Sequence, residues 1–272
     1  NQTTFPHAAV MFDDFVERGG NSFDTAFIYA GGLCEKILGD WVKSRNIRKD
    51  IIIIGKGAHT PYCTPEYLTK QLLISLQRMQ TDYIDIYLLH RDNPDISVGE
   101  FIDVLNEHKK AGRIKIFGAS NWTLKRVDQA NEYAKKTGLE GFSVVSNNFS
   151  LARMIRPVWA GVVSSTDKES RQWFEKNKMP LIAWSSQARG FFTGRYSPED
   201  KSDPTMVECW YSDDNFMRLE RVKQLAEKLG VEPTAVALAY VLCQKFPTFA
   251  LIGPRSLSET RTSLKALEIE LT

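Results

Sequence analysis

The order of strand-like and helix-like segments predicts an α/β fold of the closed (β/α)8 TIM-barrel class for this 272-residue chain. Seven short apolar runs are typical of strands, and several are continuously apolar, as parallel strands buried on both faces are. Most run centres lie about 30 residues apart, which is the length of one strand–helix unit. The predicted strands are Asn21–Thr25, Ile51–Lys56, Ile84–His90, Ile114–Ser120, Phe142–Asn147, Leu181–Trp184 and Phe249–Ile252.

Between these strands, apolar residues recur with helical period and predict amphipathic helices. Pro65 and Pro233 suit the first turn of a helix, each with a capping candidate before it. Gly112 and Gly230 suit the positions just past a helix end. The clearest predicted helices are Ala8–Arg18, Val98–Lys110 and Arg218–Leu229.

Two irregularities interrupt this pattern. The first helix has no strand before it, so we expect the first barrel strand upstream of Asn1, either alone or attached to an additional upstream domain. The long gap before the last strand leaves an insertion of about 25–35 residues across Gly190–Asn215, interpreted as a surface loop or as a lid over the barrel mouth. No linker divides the chain, which predicts one domain over residues 1–272.

Composition excludes several classes of protein. A net charge of +2 gives no electrostatic case for nucleic acid, and no apolar run is long enough for a membrane helix. The four cysteines lack the spacing of a zinc site, so we predict free thiols and a cytoplasmic location.

Four titratable residues follow neighbouring predicted strands at their carboxyl ends. Asp24 ends the first strand, Tyr29 lies in the loop after it, Lys56 ends the second strand and His90 ends the third. Barrel enzymes build their active sites at this end of the strands, so these side chains are the candidate catalytic groups. His59, Asp82 and Asp85 are interpreted as structural.

Five segments of the chain resemble the signatures of the aldo-keto reductase family, in the family's order and across nearly the whole sequence. They are Gly19–Gly39, Ser75–His90, Arg113–Trp122, Leu181–Tyr196 and Phe249–Leu267. The resemblance implies reduction of a small aldehyde or ketone by NADPH, with NADH as an alternative cofactor and no metal. It also implies that Asp24, Tyr29, Lys56 and His90 form the catalytic tetrad, with Tyr29 as the proton donor.

The resemblance suggests how the tetrad would work. Lowering the pKa of a tyrosine from about 10 toward 7 requires ~4 kcal/mol. One ammonium group about 4 Å away supplies that much at an effective dielectric constant near 20. We therefore expect Lys56 to lower the pKa of Tyr29, and Asp24 to keep Lys56 charged. A charged lysine is a poor amine nucleophile, which disfavours the alternative of a Schiff base at Lys56.

Further positions match the family's cofactor segments. Ser120 and Asn121 match the residues that hold the carboxamide, Trp184 matches the aromatic ring that stacks on nicotinamide, and Arg255 could pair with a 2′-phosphate. Ser146 stands where many members of the family carry Gln. Glu259 stands where Gln or Arg is common in the family. The full set of cofactor candidates is Ser120, Asn121, Ser146, Trp184, Ser185, Gln187, Gly190, Gly253, Arg255, Ser256, Glu259 and Ser263.

Two other functions stay open from the sequence. One is a catalytically silent NADP(H)-binding regulatory subunit of the same fold, and the other is an unrelated barrel lyase or isomerase. The expected substrate pocket is lined by Asn1–Pro6, His59–Cys63, Trp122 and the insertion Gly190–Asn215, all in loops, so the carbonyl substrate is not identified.

Overall fold

Parallel strands alternate with helices along the chain in the computed structural model, which describes residues 4–271. The chain divides into two units, residues 1–145 and residues 146–272. The prediction that the chain is a single domain stays a prediction, and the strand expected upstream of Asn1 lies outside the described residues.

The first unit contains four parallel strands, each followed by a helix. Neighbouring strands pair in register, with Phe23 opposite Ile53 and Tyr87 opposite Phe117. These pairings bring the carboxyl ends of the strands to one edge. The strands are β1 (Ser22–Asp24), β2 (Ile52–Gly57), β3 (Ile84–Leu89) and β4 (Ile114–Ser120). The helices are α1 (Phe5–Glu17), α2 (Leu33–Arg45), α3 (Pro65–Met79), α4 (Val98–Lys110) and α5 (Leu124–Thr137).

Local side-chain hydrogen bonds explain where these helices begin. The Thr64 hydroxyl accepts from the Tyr67 amide at 3.2 Å, and Pro65 occupies the first turn, as predicted. Thr123 caps α5 in the same way, through the Arg126 amide at 3.3 Å. Gly112 follows α4 with a φ of +72°, a left-handed conformation that suits glycine.

Helices α2 and α3 approach each other closely at one glycine. A Cβ placed on Gly39 would lie 2.6 Å from the backbone carbonyl carbon of Met79. Cβ atoms do not come this close to atoms to which they are not bonded. The backbone of α2 therefore lies directly against the backbone of α3 at this point. This contact sets the spacing between the two helices.

The second unit contains the remaining strands and helices. Strands β6 (Leu181–Ala183) and β7 (Thr248–Ala250) pair in parallel, with Ile182 opposite Phe249. A two-residue strand, β5 (Val145–Ser146), spans the boundary between the units in the sequence. The helices are α6 (Lys168–Asn177), α7 (Pro204–Trp210), α8 (Asp213–Leu229), α9 (Pro233–Leu242) and α10 (Leu257–Leu264).

The insertion Gly190–Asn215 is an ordered part of the second unit. It contains all of α7 and the start of α8, and its large aromatic residues Phe191, Phe192 and Trp210 are wholly buried. Burial of that much aromatic surface holds the segment against the unit's own core. The interpretation as a plain surface loop is therefore wrong, and the interpretation as a lid stays a prediction.

Most predicted helices and strands are present, with boundaries shifted by a few residues. The predicted helix Arg218–Leu229 begins earlier, at Asp213, because Ser212 caps it through the Asn215 amide. The sequence also placed Glu232 as a cap before Pro233, but its side chain makes no capping hydrogen bond. Within residues 4–271, no helix combines the length and the apolar character that crossing a membrane requires.

Candidate active site

The loop after β1 carries the predicted proton donor and is tied to the end of β2. The Thr25 amide donates to the Ile54 carbonyl and the Phe27 amide donates to the Lys56 carbonyl, both at 2.8 Å. Tyr29 then begins a short 3₁₀ turn that ends at Gly32. Backbone pairing thus continues past the strand and places the loop of Tyr29 over the end of β2.

Asp24 and Lys56 form a buried ion pair at the ends of β1 and β2. The Lys56 Nζ donates to Asp24 Oδ1 at 2.5 Å and to the Thr25 carbonyl at 3.0 Å, and the lysine is only 3% exposed. Burial opposes the charge on Lys56, but Asp24 and Tyr29 outweigh it and raise the pKa of the amine. Lys56 therefore stays protonated, as the sequence analysis expected, which also disfavours a Schiff base there.

Burial acts on Asp24 as well, and raises the pKa of its carboxyl group despite the opposing charge of Lys56. We treat the pair as charged on both sides. A neutral Asp24 would leave the Lys56 ammonium buried without a counter-charge, and an unpaired buried charge costs several kcal/mol. Donation from the Lys56 ammonium to the Asp24 carboxylate is then a charge-assisted hydrogen bond.

Tyr29 lies against both Lys56 and His90. The Lys56 Nζ is 5.1 Å from the centre of the Tyr29 ring, and the His90 ring centre is 5.7 Å from it, edge to face. The pKa of Tyr29 is raised, because burial around its hydroxyl group outweighs the lowering effects of Lys56 and Arg91, although the residue as a whole is 36% exposed. The expectation that Lys56 brings this pKa below its ordinary value is therefore wrong in this structure. Removal from water disfavours tyrosinate more than one nearby cation favours it.

His90 is held in its neutral form. It is 6% exposed, and its pKa is lowered to about 2, mainly by burial and further by the charges of Lys56, Arg91 and His59. The His90 amide donates to the Gly57 carbonyl at 2.7 Å, which fixes the residue at the end of β3. A neutral imidazole can donate one hydrogen bond but cannot serve as a strong acid. This favours an orienting role over proton transfer.

A second ion pair, which the sequence analysis did not single out, supports the loop of Tyr29. Arg78 on α3 donates through Nη1 to the Phe27 carbonyl and to Glu35 Oε2, both at 2.9 Å, and its guanidinium covers the Phe27 ring. Glu35 on α2 is wholly buried. A Cβ on Gly32 would lie 2.3 Å from the Arg78 guanidinium carbon. Both charged residues lie inside the segments that resemble the family signatures, which is the signal that could have identified them.

Ser120 and Asn121 end β4 in the first unit. Both are buried, and Asn121 has a φ of +60°, a left-handed conformation that non-glycine residues rarely adopt. Its Nδ2 donates to the Ser120 Oγ at 3.0 Å and to the His90 carbonyl at 3.3 Å. These bonds connect Ser120 and Asn121, the residues predicted to bind the carboxamide, to the end of β3, where His90 lies.

In the second unit, the cofactor candidates near β6 include two buried polar atoms without partners in the described part of the chain. They are the Ser146 Oγ and the Trp184 Nε1. Ser185 adopts a left-handed φ of +49°, and the Gln187 Nε2 donates to the Ser263 Oγ at 3.4 Å. Buried groups of this kind usually have partners, so an unpaired serine hydroxyl fits a ligand such as a carboxamide.

The remaining candidates surround the start of α10 in the second unit. The Ser256 hydroxyl caps the helix by accepting from the Glu259 amide at 3.3 Å. Glu259 Oε2 accepts from the Arg255 amide at 2.6 Å, so this carboxylate takes up a donor that a phosphate could use. The Arg255 side chain is exposed, and the space around Gly253 is open. A Cβ on the left-handed Gly190 would lie 3.4 Å from the Arg195 guanidinium group.

The predicted pocket-lining residues have mixed positions. Tyr62 is 49% exposed and its ring stacks near Tyr67, whereas Cys63 is buried and its thiol donates to the Ala58 carbonyl at 3.0 Å. Trp122 has no exposed surface, so its prediction as pocket lining is wrong. Of Asn1–Pro6, the first three residues lie outside the described part of the chain.

Asp85 has the structural role that the sequence indicated. Its carboxylate binds Arg48 at 2.8 Å, Lys115 at 2.7 Å and the Ile53 amide at 3.0 Å, at the amino end of β3. Burial opposes this charge, but these hydrogen bonds and Arg48 lower the pKa of Asp85 below its ordinary value. Within residues 4–271, no cluster of three or more His, Cys, Asp or Glu side chains could hold a metal ion.

Comparison with solved structures shows the fold. An aldo-keto reductase from Klebsiella pneumoniae in complex with NADPH aligns with 98% of this chain and 81% of its own, with a TM-score of 0.75 and 20% identity. The thermostable aldo-keto reductase Tm1743, in complex with the inhibitor epalrestat, aligns with 98% of this chain and 84% of its own, with a TM-score of 0.76 and 21% identity. The predicted (β/α)8 class is thereby confirmed.

Comparison of sequences shows the family. The norsolorinic acid reductase stcV of Emericella nidulans is 27% identical over 97% of this chain and 69% of its own length. The probable aryl-alcohol dehydrogenase AAD4 of Saccharomyces cerevisiae is 27% identical over 96% of this chain and 83% of its own. The profile of the Aldo/keto reductase family matches residues 1–272. The chain therefore belongs to the aldo/keto reductase family and is an NAD(P)H-dependent reductase.

Proposed function

We propose that this protein reduces an aldehyde or ketone to an alcohol with NADPH, and that Tyr29 is the general acid. The buried Lys56–Asp24 pair beside the Tyr29 ring carries the proposal. A buried lysine held charged next to a tyrosine stabilises the tyrosinate that remains once the proton has left. At an effective dielectric constant near 20, a cation about 4 Å away contributes ~4 kcal/mol to that stabilisation.

The residues of the second unit fit this cofactor. NADPH, when bound, supplies the hydride for the carbonyl carbon. Within this unit, the unpaired Ser146 hydroxyl would bind the carboxamide, and Trp184 would stack on the nicotinamide ring. In the first unit, Ser120 and Asn121 are the residues that match the family's carboxamide contacts. The exposed Arg255 would pair with the 2′-phosphate, while Ser185, Gln187 and the start of α10 would hold the rest of the nucleotide. NADH stays an alternative because Glu259 lies beside Arg255.

The three other tetrad residues have separate tasks in the proposed mechanism. Asp24 keeps Lys56 protonated, and Lys56 stabilises the tyrosinate of Tyr29 as the proton moves to the carbonyl oxygen. His90, neutral over the physiological pH range, donates a hydrogen bond that orients the carbonyl group. Only Tyr29 then gives up a proton during the reduction.

Replacing Tyr29 by phenylalanine tests this assignment. Benzaldehyde is a suitable test substrate, because one relative is named as an aryl-alcohol dehydrogenase. With it, Tyr29→Phe should lower kcat by about 10²–10⁴, the usual contribution of general acid catalysis. The affinity for NADPH, measured by fluorescence titration, should change by less than about threefold because no cofactor contact is assigned to Tyr29.

Two outcomes would contradict the proposal. Near-normal turnover in Tyr29→Phe would remove Tyr29 from the mechanism. Tight NADPH binding by the normal chain, without carbonyl-dependent NADPH oxidation across a panel of aldehydes, ketones and sugars, would favour the silent regulatory subunit. We also propose a cytoplasmic location, which the free thiols of Cys34, Cys63, Cys209 and Cys243 support.

A further inference from the structure

Arg91 directly follows His90 at the end of β3 and is almost completely buried. It is 6% exposed. Its amide donates to the Ala58 carbonyl at 3.3 Å, and its own carbonyl accepts from the Trp122 indole at 3.1 Å. The backbone of Arg91 is thus fixed between the loops that follow β2 and β4. The proposed mechanism gives this arginine no task.

The guanidinium group of Arg91 has only one hydrogen-bond partner within residues 4–271. Nη1 donates to the His90 carbonyl at 2.9 Å. Nε is buried and has no partner. Nη2 also makes no hydrogen bond within residues 4–271. Unlike Nε it is not wholly buried, so solvent reaches it. Nε and Nη2 form one edge of the guanidinium plane, and this edge is unused.

Three other partly buried arginines of the first unit each have a carboxylate partner, which Arg91 lacks among the described residues. Arg126 is the closest comparison: its Nε and Nη2 bind the two carboxylate oxygens of Asp92, each at 3.0 Å. Arg48 pairs with Asp85, and Arg78 pairs with Glu35. In the described part of the chain no carboxylate lies within ion-pair distance of Arg91, although it is more deeply buried than these three.

A buried arginine without a carboxylate partner lowers the stability of the fold. The guanidinium group does not lose its proton in proteins, so burial cannot be relieved by neutralisation. An unpaired buried charge costs several kcal/mol of folding free energy. A negatively charged ligand that binds the unused edge would supply the missing partner, as Asp92 does for Arg126.

Arg91 lies among the loops that carry the tetrad. Burial is the main cause that raises the pKa of Tyr29, and the charge of Arg91 opposes this rise. Burial is also the main cause that lowers the pKa of His90, and the charge of Arg91 lowers it further. The same charge also acts on His59 and Cys63 in the loop after β2.

The charges around Tyr29 leave one excess positive charge. Lys56 and Asp24 neutralise each other, and His90 is neutral. Asp92, the nearest acid in the sequence, is bound to Arg126. A negatively charged group that approaches Tyr29 is therefore attracted, and more strongly than in bulk water because Lys56, His90 and Arg91 are buried.

We propose that Arg91 binds a carboxylate on the carbonyl substrate through its free Nε–Nη2 edge, so that the preferred substrates are oxo acids. The carboxylate would lie within a few bonds of the carbonyl group, because the Arg91 guanidinium group is hydrogen-bonded to the backbone carbonyl of His90. This inference rests on the proposed function, since it names the substrate class of the same site. Arg91 is then a specificity-determining residue.

Matched pairs of substrates test the proposal. The three carboxybenzaldehyde isomers and their methyl esters differ in charge but carry the same reacting aldehyde, and the isomers vary the distance to the carboxylate. The normal protein should prefer at least one acid over its ester by about 10- to 100-fold in kcat/KM, as expected for a charge-assisted hydrogen bond. Arg91→Gln should abolish that preference and leave the esters within about threefold, and Arg91→Lys should keep part of it.

A binding measurement without catalysis accompanies the kinetics. Benzoate should raise the Tm of the normal protein by mass action, and should not raise that of Arg91→Gln. Arg45→Gln is the matched control, because it removes a positive charge of the same unit from an exposed pair with Asp13. The control should keep both the preference for acids and the response to benzoate.

The outcomes separate this inference from the proposed function. An equal loss of acid and ester reduction in Arg91→Gln would overturn the inference, since Arg91 would then support Tyr29 or the fold. Weaker NADPH binding with an unchanged preference for acids would overturn it too, because the oxyanion bound would be a cofactor phosphate. If the normal protein reduces neither acid nor ester, the proposed function fails, and the benzoate measurement alone decides whether Arg91 binds carboxylates.

Discussion

The neutral state of His90 has a consequence for stability that can be measured. The pKa of a histidine in an unfolded chain is about 6.5. Burial and the neighbouring charges lower the pKa of His90 to about 2 in the folded protein. Between these two values the unfolded chain binds a proton that the folded chain does not. Acid therefore favours unfolding, and the contribution of His90 to stability falls as the pH decreases from about 6.5.

The size of the effect follows from the gap between the two pKa values. Each pH unit below about 6.5 costs ~1.4 kcal/mol, so at about pH 5 the cost is ~2 kcal/mol. This figure does not depend on the lower pKa being near 2. It requires only that the folded protein leaves His90 neutral at pH 5, which its 6% exposure and the nearby Lys56 and Arg91 favour.

Urea unfolding over a series of pH values measures this cost by difference. His90→Gln and His90→Asn lack the titrating ring. The free energy of unfolding of each variant, minus that of the normal protein, should therefore increase by ~1.4 kcal/mol for each pH unit below about 6.5. The two variants differ in size and will differ in absolute stability, but they should share this slope. Parallel curves for the normal protein and both variants would refute the neutral state of His90.

Two further predictions concern the supports of the site. Arg78→Lys ends one bond short of the Nη1 position and lacks the guanidinium group that covers the Phe27 ring, so it should hold the Phe27 carbonyl and Glu35 less well. We therefore expect kcat to fall about tenfold while KM for NADPH stays unchanged; an unchanged kcat in steady-state assays would show that Arg78 does not position the loop. Arg255→Ala should weaken NADPH binding by about 1–3 kcal/mol and spare NADH in fluorescence titrations. An equal loss for both cofactors would mean that Arg255, like Glu259, only supports the start of α10.

Sequence patterns predicted the strands best where both faces are buried. The run from Ile51 to Ile54 is continuously apolar, and Ile53 at its centre has no exposed surface. Phe142–Asn147 was harder to delimit, because its regular pairing is confined to Val145–Ser146 while its other residues bond irregularly. Boundaries depend on hydrogen bonds to distant residues, which an apolar pattern does not contain.

The chemistry of the site was only partly predictable. The spacing and the family resemblance identified Lys56 and Asp24, and their side chains form the expected pair. The pKa of Tyr29 was mispredicted because a sequence shows which charges are near but not how much water is excluded. Arg78 and Arg91 look alike in a sequence. Whether a carboxylate meets each guanidinium group depends on the packing of helices and loops, so only the structure distinguishes them.

The contact between α2 and α3 at Gly39 gives the catalytic loop an unusual evolutionary constraint. Arg78 on α3 can donate to both the Phe27 carbonyl and Glu35 on α2 only while the two helices keep their present separation. That separation is set by a hydrogen atom lying against the backbone of Met79, and any larger side chain would force the helices apart. Substitutions on the outer faces of both helices should therefore be tolerated during evolution. Substitutions of Gly39 should be selected against, although this residue takes no part in the chemistry.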